Sequence, residues 1–314
     1  MMNNLSDMIW VEARKAIRSK MPLGTALGSL FMPLGIAFLI FVAKNPEISK
    51  NLGLVSAKAN LMAYSATDWP TYLGLYGQLV AAAGFLLFIL IISWTFGREF
   101  ADGTVKDMLA VPVQRSSILL AKFIVAAVWS VALTAVIFIV GLIMGAIIKL
   151  PGGSLGVIFQ NSALVVITAG LAIVVVMPFA LFASIGRGYL LPIGLAVLTL
   201  IITNIVALIG WGDYFPWAVP GLYAMGKGSL APISYWIVFL TGLLGMMATY
   251  LWWRYADQTA TTLNFARSML ERWTGTASMS FRVPSANSRP NVQLMIRMNK
   301  TNPPAAIIWP NNPK

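Results

Sequence analysis

Six apolar runs, each about as long as a membrane-crossing helix, constrain this chain more than any other feature. A helix rises 1.5 Å per residue, so about 20 apolar residues cross a hydrocarbon layer roughly 30 Å thick. The runs are 22–43, 72–96, a stretch within 118–148, 157–185, 190–209 and 231–253. Backbone polar groups cannot stay unpaired in hydrocarbon, and helices pair their own. The expected fold is therefore all-α: a polytopic membrane protein with six transmembrane helices. Composition agrees, at 58% hydrophobic and 10% charged, where soluble domains run near 45–50% and 25%. No signal-peptide cleavage pattern precedes the first run.

The net charge of +12 raises the question of a nucleic-acid partner. The positions of the bases answer it. With the first residue placed inside, Lys44, Lys50, Lys58, Lys149 and Lys227 fall outside and every other Lys and Arg falls inside. That asymmetry is the positive-inside rule. The basic excess reads as topology, no nucleic-acid partner is expected, and both termini are expected in the cytoplasm of a bacterial or archaeal cell, the chain lying multi-pass in its plasma membrane.

The runs divide the chain. Residues 1–21 carry an amphipathic helix, 5–20, with Leu5, Met8, Ile9, Ala13, Ala16 and Ile17 on one side and Asp7, Arg14, Lys15 and Arg18 on the other. Such a helix lies in the membrane interface, and Glu12 interrupts its apolar face. Residues 22–253 form the six-span domain. An aromatic segment at 210–230, with Trp211, Tyr214, Phe215, Trp217 and Tyr223, suits an interfacial belt on the outer side, built as short helices or a re-entrant segment. Residues 254–314 are rich in Asn, Ser, Thr, Pro and Arg, and read as a basic, disordered cytoplasmic tail.

Several chemistries are excluded early. With no Cys and no His there is no thiolate site, no imidazole base and no usual metal ligand set, so no enzyme activity, cofactor or metal is expected in the chain itself. Gly221-x4-Gly226-Lys227 imitates a phosphate loop, but Gly228 stands where Ser or Thr should be, and the βαβ context is missing. Gly226-x-Gly228-x-x-Ala231 fails on context too. No span carries a charge near its centre, which weighs against an ion-coupled secondary transporter or a channel, the alternative class. Gln78, Thr203 and Asn204 are the polar residues best placed to line a pathway; interhelical hydrogen bonding is their more ordinary role.

The cytoplasmic loop at 97–117 concentrates charge between two spans. Read as a helix, 99–111 places Ala101, Thr104, Val105 and Met108 on one face and Glu99, Asp102, Gly103 and Lys106 on the other. Asp102 and Lys106 form an i,i+4 pair, and Pro112 ends the helix. The run Glu99-x3-Gly103-Thr104-x7-Pro112-Val113-x-Arg115-x6-Lys122 resembles the first cytoplasmic loop of ABC exporter permeases of the type-two superfamily. Gln114 stands where that family usually has Ser. The basic tail lies outside the usual pattern.

The resemblance implies a six-span permease subunit of an exporter, with the loop serving as a coupling helix. A separate ATP-binding cassette subunit would hydrolyse ATP with magnesium. Glu99, Asp102, Gly103, Thr104, Lys106 and Arg115 would make or support the contact, with Glu99 and Gly103 reaching the partner and Arg115 held at the headgroups. A second copy of the chain, or a similar permease, would complete the path through the bilayer. The uncharged spans point to an amphipathic or hydrophobic cargo: a drug, a peptide or a lipid-like molecule.

Overall fold

The computed structural model describes residues 4–45, 68–105, 108, 113–226 and 230–255. The chain divides into two units, Met1–Ala256 and Asp257–Lys314. The second lies outside the described residues, as does the expected tail beyond Tyr255. The described residues of the first are helical, with no strand among them.

Helix α1 spans Asn4–Arg18 and α2 spans Met21–Lys44. Pro22 sits in the first turn of α2, where a missing N–H is harmless, and Pro33 leaves the helix unbroken. Asp68 caps α3 (Trp69–Leu79): its Oδ1 accepts the Thr71 amide at 3.0 Å. A π-helical turn, Val80–Gly84, joins α3 to α4 (Phe85–Ala101). Then come α5 (Arg115–Ile147), α6 (Leu155–Val176, capped by Ser154), α7 (Phe179–Ile185), α8 (Leu190–Leu208), α9 (Val219–Met225) and α10 (Pro232–Tyr255). Six segments are long and apolar enough to cross a membrane: Met21–Val42, Trp69–Ala101, Arg115–Ile147, Leu155–Ile185, Leu190–Leu208 and Pro232–Tyr255. They overlie the six apolar runs. The second is longer than its run at both ends, because the polar residues that end the apolar pattern are still helical.

The principal core gathers Phe88, Ile91, Ile92 and Phe96 of α4 against Val175 and Val176 of α6, Phe179 and Ala183 of α7, and Val219 of α9. Lipid offers no hydrophobic drive between helices, so close approach and dispersion must hold the bundle. Gly141 and Gly145 on α5 supply that approach. A Cβ at Gly141 would overlap the Tyr76 ring, and one at Gly145 would lie 2.7 Å from Trp69. The Tyr72 hydroxyl donates to the carbonyl of Gly141 at 2.8 Å.

Pro178 separates α6 from α7. It has no N–H, and the Trp217 indole donates to the nearby Val175 carbonyl at 3.0 Å. The aromatic segment therefore re-enters the bundle within residues 210–226. It leaves α8 through Gly210 (φ 81), makes a 3₁₀ turn at Gly212–Tyr214, and turns back as α9, whose Val219 is fully buried. Trp211 and Tyr214 are exposed, as a belt requires; Trp217 and Tyr223 pack inward instead. Aromatic content alone does not tell belt from core.

Candidate functional site

The loop between the second and third spans sits at the α1 end of the bundle. Here the structure revises the sequence reading. The expected continuous helix over 99–111 is interrupted at its fifth residue. Gly103 adopts a left-handed conformation (φ 71), the Thr104 amide bonds the Glu99 carbonyl at 3.0 Å, and the Gly103 amide bonds Phe100 O at 3.4 Å. This is the Schellman arrangement that ends helices, and it makes Glu99 part of the second span. The chain turns helical again at Val105 and Met108, with the Met108 amide on Thr104 O at 3.1 Å. Of the residues placed on one face, Val105 is buried and Met108 half-buried, whereas Ala101 and Thr104 are exposed. The Asp-Gly pair was the available signal, since a helical reading hides the left-handed turn such a dipeptide favours.

Asp102, Gly103 and Thr104 form an exposed tip. Among the described residues nothing lies within 4 Å of a Cβ built at Gly103; what calls for glycine here is the left-handed backbone conformation. Asp102 pairs with Arg98 (3.2 Å); the Lys106 side chain, its expected partner, lies outside the described residues, as do 109–112.

Glu99, expected to face outward, is only 6% exposed. It belongs to a four-charge cluster beneath the tip. Lys122, about two turns into α5 and 0% exposed, donates to Glu99 Oε1 at 2.7 Å, Glu12 Oε2 at 3.0 Å and the Thr95 carbonyl at 3.1 Å. Lys15 donates to Glu12 Oε1 at 2.7 Å and Glu99 Oε1 at 3.2 Å. Two cations and two anions cancel, and all three ammonium donors of Lys122 are used, which is what burial of charge demands. Burial pushes the Glu12 carboxyl up, but the charges of Lys122 and then Lys15, with hydrogen bonds from both, outweigh it and hold Glu12 below its ordinary 4.5. Burial likewise pushes Lys15 down, and Glu12 and Glu99 together raise it above its ordinary 10.5. Glu12 is thus no blemish on an amphipathic face. It is the contact that docks α1 onto the spans, invisible in sequence because its partner lies 110 residues away.

The far end of the loop is fixed differently. Arg115, expected at the headgroups, donates instead to the carbonyls of Trp253 (2.8 Å) and Arg254 (3.4 Å) in the last turn of α10. There it satisfies carbonyls that a helix terminus leaves unpaired. Beside the loop, the Gly186–Tyr189 linker packs so tightly that a Cβ on Gly97 would lie 2.9 Å from the Gly188 carbonyl. Arg187 in that linker holds φ 50.

The residues expected along a pathway lie apart from this end. Gln78 is exposed in α3, just before the π-helical turn. Asn204 is exposed on α8 and donates to Leu200 O of its own helix at 2.8 Å, while Thr203 Oγ1 is buried without a partner among the described residues. Neither makes the interhelical bond that sequence favours for such residues. At the opposite end from α1, Gln160, Asn161, Ala163, Leu164 and Tyr223 line an uncharged cavity of about 240 Å³. Among the described residues no three His, Cys, Asp or Glu side chains gather as a metal site.

The sequence profile of ABC-2 family transporter proteins matches residues 8–204. The chain is also similar to a bacitracin transport permease of Bacillus licheniformis, at 26% identity over 187 residues, covering 57% of this chain and 88% of that protein.

Proposed function

From the premise that this chain belongs to the ABC-2 family of transporter proteins, we propose that it is the membrane permease subunit of an ATP-driven exporter whose ATP is hydrolysed, with magnesium, by a separate ATP-binding cassette subunit. The observation that carries this reading is the family match over 8–204, which contains the loop at 97–117. Asp102, Gly103 and Thr104 at the exposed tip, with Lys106 beyond them, make the contact with the ATPase. Glu99 and Arg115 support it from below, one through the charge cluster and the other through α10. Both termini then lie in the cytoplasm of a bacterial or archaeal cell, on the side that carries α1 and Arg254.

The cargo is an amphipathic or hydrophobic molecule. The relative named for bacitracin transport supports a peptide or drug-like one, and the apolar spans support it independently. Exposed amides such as Gln78 and Asn204 are poorly placed against hydrocarbon. They support a second permease copy, or a similar partner, enclosing a path onto which they face. The buried charges do not favour a secondary transporter, because the four cancel one another.

Gly103→Trp and Asp102→Lys test the contact. Both residues are exposed and outside the spans, so membrane insertion should be unchanged. Co-purification with a co-expressed ATP-binding cassette ATPase should fall at least tenfold. If both variants retain that ATPase at the original ratio, the tip is not the contact.

A further inference from the structure

Glu99 offers its two carboxylate oxygens unequally. Oε1 accepts from both Lys122 (2.7 Å) and Lys15 (3.2 Å), whereas Oε2 is buried and has no partner among the described residues. An unpaired charged oxygen in the interior is costly, so its persistence needs a reason. Lys15 and Glu12 sit one turn apart on α1 and bond each other at 2.7 Å, and both reach across to the spans. A short slide of α1, with a turn of the Glu99 carboxylate, would pass Lys15 from Oε1 to Oε2 while Lys122 keeps Oε1. Such a second arrangement would keep both Lys15 and Lys122 bonded to Glu99. Elements with two discrete arrangements of similar energy are what carry motion through packed proteins.

The outer surface of α1 is not covered by the described residues. Trp10 and Ile17 are 59% and 77% exposed, as an interfacial helix requires, and Arg14 stacks over Trp10 on α1 itself at 4.6 Å. The only charged contacts between α1 and other elements among the described residues run through Glu12 and Lys15. Glu99 in turn lies in the last turn before the exposed tip, its carbonyl bonded by the Thr104 amide. Displacement of the tip therefore reaches Glu99 first.

We propose that α1 is a moving part of the transport cycle: the Glu99–Lys15–Lys122–Glu12 joint carries displacement of the Asp102–Thr104 tip to the interfacial helix, which slides along the membrane surface. This rests on the reading that an ATPase pushes the tip, and the experiment separates the two ideas. The chain has no native Cys, so two spin-label pairs can be introduced at exposed positions: Arg18→Cys with Leu190→Cys for α1, and Gln114→Cys with Leu190→Cys for the loop. Distances are measured in the assembled complex, with and without ATP and magnesium.

Both pairs should shift on adding nucleotide, by an amount in the range of known helix shifts, about 1–2 Å or more. Glu12→Gln is nearly isosteric and outside the spans. With Glu12→Gln, or with Lys15→Gln, the α1 pair should lose its shift while the loop pair keeps it and the ATPase still co-purifies. A loop pair that moves while the α1 pair stays still in the unaltered chain overturns the moving-helix proposal alone. An α1 shift that survives both substitutions overturns the joint as its cause. If neither pair responds to nucleotide, the proposal and the ATPase-driven reading fall together.

Discussion

Arg115 begins the third span, and its guanidinium lies 2.8 Å from the carbonyl of Trp253 in the last turn of the sixth. Two spans distant in sequence are thereby clamped at one level of the bundle, with the loop at 102–114 leading directly into the clamp. Trp253 is held on its other side as well: its indole donates to Ser184 Oγ at 2.9 Å and its ring meets Phe100 edge-on at 5.5 Å. Arg115→Ala should therefore fray the end of α10. Amide exchange over residues 250–255 should speed up selectively, with the middle of α10 unchanged. Arg115→Lys should rescue it only in part, since an ammonium lacks the fork that can hold two carbonyls.

Lys122 is the cation on which two nearly buried carboxylates depend. Removing one partner of a buried pair strands the other charge and costs about 3–5 kcal/mol. Lys122→Met should show that loss as a lower midpoint in thermal unfolding of the detergent-solubilised chain. Adding Glu99→Gln to Lys122→Met should recover most of it, because the remaining Lys15 and Glu12 pair with each other and no net charge is stranded. A double variant no more stable than Lys122→Met would mean that packing around the lysine, and not its charge, is what matters.

The docking of α1 should depend on pH only at the extremes. The folded-state pKa of Glu12 is lowered below 4.5, so its contribution is complete above about 4.5 and disappears as pH falls through the lowered value. That of Lys15 is raised above 10.5, so its contribution is complete below about 10.5 and disappears as pH rises through the raised value. A fluorophore on Arg18→Cys should report a flat signal between these limits and release of the helix outside them. Glu12→Gln should remove its acid transition and move the alkaline one to lower pH, since Glu12 is the first of the two acids that raise Lys15.

Two helices end on left-handed residues other than glycine: Lys149 (φ 55) after α5 and Arg187 (φ 50) after α7. Their amide patterns match the one at Gly103, with Leu150 on Gly145 O and Gly188 on Ala183 O, each at 3.3 Å. A Cβ in that region costs about 1–2 kcal/mol, partly offset by the greater unfolded-state freedom of glycine. Lys149→Gly and Arg187→Gly should each raise stability, by up to about 1 kcal/mol. At Gly103 the comparison reverses: Gly103→Asn should be tolerated and Gly103→Val should lower stability.

The spans were legible because hydrocarbon thickness sets a length that hydropathy reveals directly. The third, expected within 118–148, is Arg115–Ile147. The charge at the α1 end was legible as a concentration but not as an arrangement. Local periodicity gave Glu99 an outward face because it assumed one helix through Gly103; the left-handed turn there transfers Glu99 to the span. Glu12 and Lys122 meet only through the packing of α1 on α5, a tertiary fact that no window of sequence contains. Trp217 and Tyr223 were misplaced for a related reason: an aromatic segment can serve a belt or a core, and only the carbonyl freed near Pro178 shows where Trp217 belongs.

The π-helical turn at Val80–Gly84 has a consequence for how the chain tolerates insertion and deletion. Each residue of an α-helix advances the face by about 100°. The wider turn therefore lets the half above it direct Tyr72 and Tyr76 at α5 while the half below directs Phe88, Ile92 and Phe96 into the main core. Deleting one alanine from 81–83 would give a regular helix that is right for one half and rotated for the other. In this span a single-residue deletion amounts to a rearrangement of the bundle, whereas the substitution of one alanine by another small residue changes almost nothing.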